Sequence, residues 1–144
     1  MHLDVPSLVH KMGSVSHFRN LSIADLKTIV MSGQILRFKA GETICSEDQP
    51  CSGLFVLFAG EVNLCRMGSN GQSSILSVIQ PVIMFNEVSV LDGGPNIYTS
   101  IAAADCITWQ LSHERFHYLT ERYPQLGLSL LKVLAKRTRS LVSY

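Results

Sequence analysis

Hydrophobic and polar positions along the chain change period twice. Near the start, Leu26, Ile29 and Val30 recur at helical spacing behind Ser22-Ile23-Ala24-Asp25. That tetrapeptide reads as a capping box, with Ser22 at the N-cap and Asp25 at the third helical position. Gly33 is the expected stop, and Phe18 and Leu21 stand just ahead of the cap, placed to fold back onto the helix. From Ile35 the period shortens. Ile35–Phe38 and Thr43–Cys45 read as short strands joined by a Lys39-Ala40-Gly41-Glu42 turn. A loop over Ser46–Ser52 leads to the apolar run Leu54–Phe58. Gly60 breaks that run, and Val62 and Leu64 then alternate with Glu61 and Asn63 as in a half-buried strand. Gly68-Ser69-Asn70-Gly71 predicts a hairpin, since Asn-Gly tolerates positive φ at both central turn positions.

Ser74–Ile79 returns as a strand that Pro81 ends. Phe85–Leu91 is too short to assign by period. Asp92–Asn96 is a loop, and Ile97–Ala104 and Ile107–Leu111 read as two further strands. The period then lengthens again. Ser112 is a suitable N-cap, with Glu114 in the first turn of a helix reaching about Arg122. Pro124 fits the first turn of a second helix, along which Leu126, Leu130, Val133, Leu134 and Leu141 form a stripe. Lys132, Lys136, Arg137 and Arg139 lie towards its C-terminus, where cations suit the dipole. Helix, many short strands, then two helices predicts a mainly β fold with flanking helices (α+β), built as a roll or small barrel.

Composition narrows the function. The chain has 144 residues, which favours one domain. Hydrophobic residues make up 47% and charged ones only 16%, which excludes disorder and suggests apolar surface kept for a partner. A net charge of +1 does not make a nucleic-acid binder, because phosphate neutralisation needs clustered Lys and Arg. No apolar stretch reaches membrane-spanning length, and the first residues lack the regions of a signal peptide. Cys45, Cys51, Cys65 and Cys106 include no C-x-x-C pair. They are expected to be reduced, buried or half-buried thiols of a cytoplasmic protein. His-x-His, Gly-x-Ser-x-Gly, Walker and His-Glu-x-x-His motifs are all missing, so no enzyme is expected.

Several segments, in order, resemble cyclic-nucleotide-binding domains, and among these the effector domains of Crp/Fnr-type bacterial transcription regulators. Gly53–Val62 resembles the strand–Gly–strand core, and Lys39–Ile44 the Gly-Glu turn upstream of it. Phe85-Asn86-Glu87-Val88-Ser89-Val90-Leu91 with Gly94-Pro95 resembles the phosphate-binding cassette. Leu111-Ser112, Phe116 and Tyr123-Pro124 resemble the closing helices. The resemblance implies a double-stranded β-helix, or jelly-roll β-roll, with short N-terminal helices and a long C-terminal one. Residues 1–144 would form one sensor domain. Its last ~20 residues would be a dimerisation helix, with a homodimer formed through Leu126, Leu130, Val133, Leu134 and Leu141. A DNA-binding helix-turn-helix domain would follow in the family. It is expected to be missing from this chain, so that DNA contact would come only through that domain.

The cassette is where the resemblance is incomplete. It implies Glu87 as the ribose-binding carboxylate and Val88 and Ser89 as backbone donors to a phosphate. Asn86 stands where the family usually has Gly, and Asn is among the few residues that visit positive φ. Asn96 stands where the phosphate-binding Arg is expected, and no Arg or Lys lies between Met67 and Ser112. A neutral amide does not replace a bidentate guanidinium, so binding of cyclic AMP in the usual way is not expected. Thr99 and Ser100 offer hydroxyls nearby. Read on their own chemistry, Glu87 also suits loop stapling, and Asn86 and Asn96 suit turns. The ligand-binding candidates are Asn86, Glu87, Val88, Ser89, Asn96 and Thr99.

The function expected is ligand sensing and dimerisation in such a regulator, the effector itself being undetermined. One alternative is a freestanding β-roll binding or interaction protein with a vestigial pocket. Another is a haem or gas sensor using His10, His17, His113 or His117, the last two at i, i+4 spacing. An iron–sulfur sensor is excluded, because no Cys precedes Cys45.

Overall fold

Turn chemistry decides where each strand begins and ends in the computed structural model, which describes residues 4–15, 18 and 21–142. These fall into two units, a β unit over Gly33–His113 and a helical unit formed by the segments on either side. In the β unit, β1 (Gln34–Phe38) passes through the Gly41 turn into β2 (Thr43–Cys45). Gly41 has φ +91°, and the Glu42 carboxylate accepts the Lys39 N–H at 2.8 Å. β3 (Leu54–Ala59) and β4 (Val62–Met67) are separated by Gly60 at φ +98°. A side chain there would strike the Asp105 carbonyl and the Cys106 thiol.

The β4–β5 turn departs from expectation. Only Gly71 has positive φ, +80°, while Asn70 does not, and the Gly71 N–H donates to the Gly68 carbonyl. This is a type I turn followed by a left-handed Gly, a geometry that needs one permissive residue rather than two. β5 (Ser73–Ile79) ends before Pro81 as expected. β6 (Ile83–Phe85) and the short α3 (Glu87–Asp92) divide the stretch that period alone could not assign. The strand expected over Ile97–Ala104 shrinks to β7 (Thr99–Ala102). Its first two residues are drawn into a loop by Asn96 and by the Arg66 guanidinium, which donates to the Ile97 carbonyl at 3.0 Å. β8 (Cys106–Leu111) closes the set.

The eight strands make two four-stranded antiparallel sheets, ordered β1-β8-β3-β6 and β2-β7-β4-β5, the expected jelly-roll arrangement. Between them lie Cys45, Phe55, Leu57, Val62, Ile79, Phe85, Ala102 and Cys106. Phe55 and Phe85 face each other in register and stack at 5.1 Å between centroids, 15° from parallel. This fixes the first residue of the cassette. β5 is an edge strand, and Ile75, Leu76 and Val78 on it are exposed.

In the helical unit, α1 (Val5–Gly13) starts at Asp4, whose carboxylate accepts the Ser7 N–H, with Pro6 in the first turn. α2 (Ile23–Ser32) has the expected cap, the Asp25 N–H donating to the Ser22 hydroxyl at 3.1 Å. α4 (His113–Arg122) and α5 (Pro124–Val142) run close to their expected limits. None of the described helices is long and apolar enough to cross a membrane.

The dimer face expected on α5 needs correction. Leu126 and Leu130 are fully buried within the chain, and Val133 and Leu134 are half-buried. They belong to the helix's inward face. Of the expected stripe only Leu141, 71% exposed, is open. The outward face is a different one, carrying Leu128, Leu131, Ala135, Thr138 and Val142, all exposed. The misassignment arose because both faces keep helical spacing, and only packing tells them apart.

All four cysteines are free, with Cys45, Cys65 and Cys106 buried and Cys51 half-buried, as expected. Burial raises the Cys45 thiol from 9.0 to about 11, against weaker help to the thiolate from Ser100 and Ser52. Burial raises Cys51 and Cys106 as well. The folded value lies above the unfolded one. This contribution to stability is therefore complete below pH 9 and lost as pH rises towards 11. Thermal denaturation followed by circular dichroism is expected to show Tm falling over that interval. Cys45→Val should remove up to about 3 kcal/mol of the alkaline loss. An unchanged alkaline slope in that variant would contradict the assignment.

Candidate functional site

The site is built around Asn86, where β6 turns into α3. Asn86 has φ +66° and ψ +25°, a left-handed N-cap, and is 1% exposed. Its conformation explains why the sequence puts Gly or Asn here. Its side chain caps nothing in α3. The Asn86 amide instead donates to the Gly53 carbonyl at 2.8 Å and to Asn96 Oδ1 at 3.0 Å. Asn86 Oδ1 is buried with no hydrogen bond among the described residues. The Asn86 backbone N–H donates to the Tyr98 hydroxyl.

Asn96 is the hub. Its Oδ1 accepts the Ser52 N–H at 3.2 Å as well as the Asn86 amide. Its Nδ2 donates to the Ser46 carbonyl at 2.9 Å, the Ser52 hydroxyl at 3.1 Å and, less closely, the Pro50 carbonyl at 3.4 Å. Its backbone carbonyl accepts the Asp48 N–H and its N–H donates to Gln49, both at 2.9 Å. One buried amide therefore ties the loop between β2 and β3 to the loop between α3 and β7. Ser89 donates to the Pro95 carbonyl at 2.9 Å, which fixes the same turn from the helix side.

The other expected residues take separate places. Glu87 is buried at the first position of α3, and Val88 beside it is half-buried. Thr99 belongs to a second network. Its hydroxyl accepts the Glu47 N–H at 3.1 Å and lies 3.3 Å from the Glu47 carboxylate. That carboxylate also accepts the Met67 N–H at 2.7 Å and pairs with Arg66 at 3.3 Å. Asn86, Ser89 and Asn96 thus come together, and Thr99 joins them only through the shared loop. Ser46, Ser52, Tyr98, Glu47 and Arg66 were not singled out by sequence. Tyr98 carried a signal, because a Tyr inside an apolar stretch needs a hydrogen-bond partner for its hydroxyl. The serines and Glu47 carried none, since loops of that composition are common.

The histidines considered as haem ligands do not share one setting. His10 and His117 are exposed, His113 is half-buried, and His17 lies outside the described residues. No group of three or more His, Cys, Asp or Glu among the described residues is placed to hold a metal ion.

Comparison with known proteins agrees with this architecture. The model of the cyclic nucleotide-binding domain family matches residues 35–123. The CRP-like cAMP-activated global transcriptional regulator of Mycobacterium tuberculosis is 24% identical over 122 residues, covering 85% of this chain and 54% of that protein. The Catabolite Activator Protein of Thermus thermophilus superposes with a TM-score of 0.81 at 25% identity, over 88% of this chain and 59% of that one. The sensor domain of the transcriptional regulator DNR from Pseudomonas aeruginosa superposes with a TM-score of 0.84 at 21% identity, over 96% and 93%. The chain spans about half the length of the curated regulators it matches.

The hub has a measurable weight. Asn96→Ala strands the Ser52 N–H and the Pro50 carbonyl in a part-buried setting and leaves the Ser46 carbonyl only the Gln49 N–H at 3.3 Å, and urea denaturation is expected to show a loss of about 3 kcal/mol. Asn96→Asp should cost a similar amount, because it keeps the acceptor but loses the three donated bonds. A loss below ~1 kcal/mol in both variants would mean that the loops hold themselves.

Proposed function

The chain belongs to the cyclic nucleotide-binding domain family, and from that premise we propose that it is the sensing and dimerisation part of a Crp/Fnr-type transcription regulator whose cassette does not take cyclic AMP in the usual way. One observation carries the reading. The two asparagines that flank the cassette are engaged from within. The Asn86 N–H meets the Tyr98 hydroxyl, and Asn96, at the expected Arg position, is spent on the neighbouring loop. A phosphate arriving here would meet an amide at the expected Arg position, with the Arg66 guanidinium already held by Glu47 and the Ile97 carbonyl, and would have to displace bonds that the protein already makes. Glu87 nearby would add repulsion rather than attraction. The effector, where there is one, is a different small molecule. The protein would act in the cytoplasm without catalysis, and DNA would be reached only through a helix-turn-helix domain joined beyond α5.

The partner in this reading is a second copy of the chain, joined through α5. Leu128, Leu131, Ala135, Thr138 and Val142 follow one another at spacings of three and four, the seam of a parallel coiled coil. Lys132 and Arg139 flank that seam and α5 holds no acidic residue, so the two helices would repel through charge while attracting through apolar area. A change in their relative orientation would be the output passed to a DNA-reading domain.

Thermal shift with cyclic AMP and cyclic GMP tests the cassette. No shift is expected for the native chain, whereas ligand at a hundredfold excess over Kd would add ~2.7 kcal/mol. Joint Asn96→Arg and Tyr98→Ala substitution restores a guanidinium and frees the Asn86 N–H, and is expected to create a shift. A clear cyclic AMP shift in the native chain would sink the proposal. Sedimentation tests the seam. Leu131→Glu should weaken the dimer at least tenfold, and added salt should strengthen the native dimer. A native chain that stays monomeric at high salt would remove the dimer from this reading.

A further inference from the structure

The helical unit contains a groove that the cassette does not use. It has a volume of about 920 Å³ and is formed by α1, α2 and, between them, Ser14, Phe18 and Leu21. That size falls within the range of small-molecule sites. Val9, Phe18, Leu21, Leu26 and Met31 give it an apolar lining. Ile23 and Met31, at its edge, are 78% and 65% exposed, large apolar side chains left in water on a helix of ten residues. Met is suited to an irregular ligand surface because its side chain is flexible and polarisable.

The polar side chains on the groove are few, and one of them, the Ser14 hydroxyl, already donates to the Lys11 carbonyl. Lys27 on α2 and His10 on α1 both line it, and among the described residues no acidic side chain does. Neither Lys27 nor His10 makes a hydrogen bond or ion pair among the described residues. The acidic groups nearest in sequence are engaged elsewhere or removed from the lining. Asp4 accepts the Ser7 N–H, and Asp25 sits in the first turn of α2. An apolar trough with a cationic rim fits a molecule having an alkyl body and one negative end. A neutral hydrocarbon would leave Lys27 unused, and a nucleotide would bring more charge and polar surface than the lining can satisfy.

We propose that this groove binds a fatty-acid-like monocarboxylate, its chain lying against Val9, Phe18, Leu26 and Met31 and its carboxylate facing Lys27 and His10. The site is independent of the cassette, so each proposal stands or falls alone.

Calorimetric titration of the whole chain with decanoate, decanol and decyltrimethylammonium tests it. Saturable decanoate binding is expected, at least tenfold tighter than decanol, with the cation weakest. Lys27 is exposed, so Lys27→Glu should leave folding intact while abolishing the preference for decanoate over decanol. Val9→Trp fills the trough and should remove binding of both, with circular dichroism confirming the fold. Absence of saturable decanoate binding, equal affinities for decanoate and decanol, or an unchanged preference in Lys27→Glu would overturn the proposal. So would a Soret shift of added hemin that decanoate fails to displace and that His10→Ala removes, because the groove would then be a haem site.

Discussion

A single buried amide carries the organisation of the cassette. Asn96 lies where water cannot serve its donors or acceptor, so each must find protein. It finds Ser46, Pro50 and Ser52 on one loop and Asn86 on the other. The two loops come from segments about 45 residues apart, the Ser52 to Asn96 separation being 44. Without that crosslink the left-handed turn at Asn86 would keep only Phe85 packing beneath it, Gly53 alongside and the Tyr98 hydroxyl on its backbone N–H. The position of α3, and so of Glu87 and Ser89, follows from the satisfaction of one side chain.

This arrangement exchanges one kind of recognition for another. A guanidinium in this place would be a charged group waiting for an anion and costly to leave without one. The Asn pair is neutral and already satisfied from within, apart from Asn86 Oδ1. The two asparagines act here as a joint between loops. The β unit is a jelly roll of two four-stranded sheets, and the helical unit ends in a long helix with exposed apolar residues. The helical unit also has its own concavity, beside α1 and α2.

How much of this was legible in the sequence varies by level. Strand identities and the helical ends could be read, because Gly41, Gly53, Gly60 and Gly71 punctuate them and each has positive φ. The cassette position, the left-handed Asn86 and the importance of Asn96 were legible through the resemblance. The partners of Asn96 were not. Ser46 and Ser52 are ordinary loop residues, and only the closing of β2 against β7 brings them near. The choice of α5 face was also hidden. Leu126 and Leu128 are equally apolar, and which of them meets the interior depends on how the helix is set against the rest of its unit. β6 and α3 were obscured for a different reason, since three residues of strand and six of helix are shorter than one reliable period.

The strand order has a consequence for how the molecule comes into being. β1 pairs only with β8, Gln34 opposite Gln110, and β8 in turn separates β1 from β3. During synthesis the first strand therefore has no neighbour until the last strand has left the ribosome. Contacts this distant in sequence are slow to form. Meanwhile β4 and β5, joined by a tight turn, can pair early and leave Ile75, Leu76 and Val78 open on an uncharged edge. The nascent chain thus passes through an interval with its stickiest strand made and its sheet unclosed.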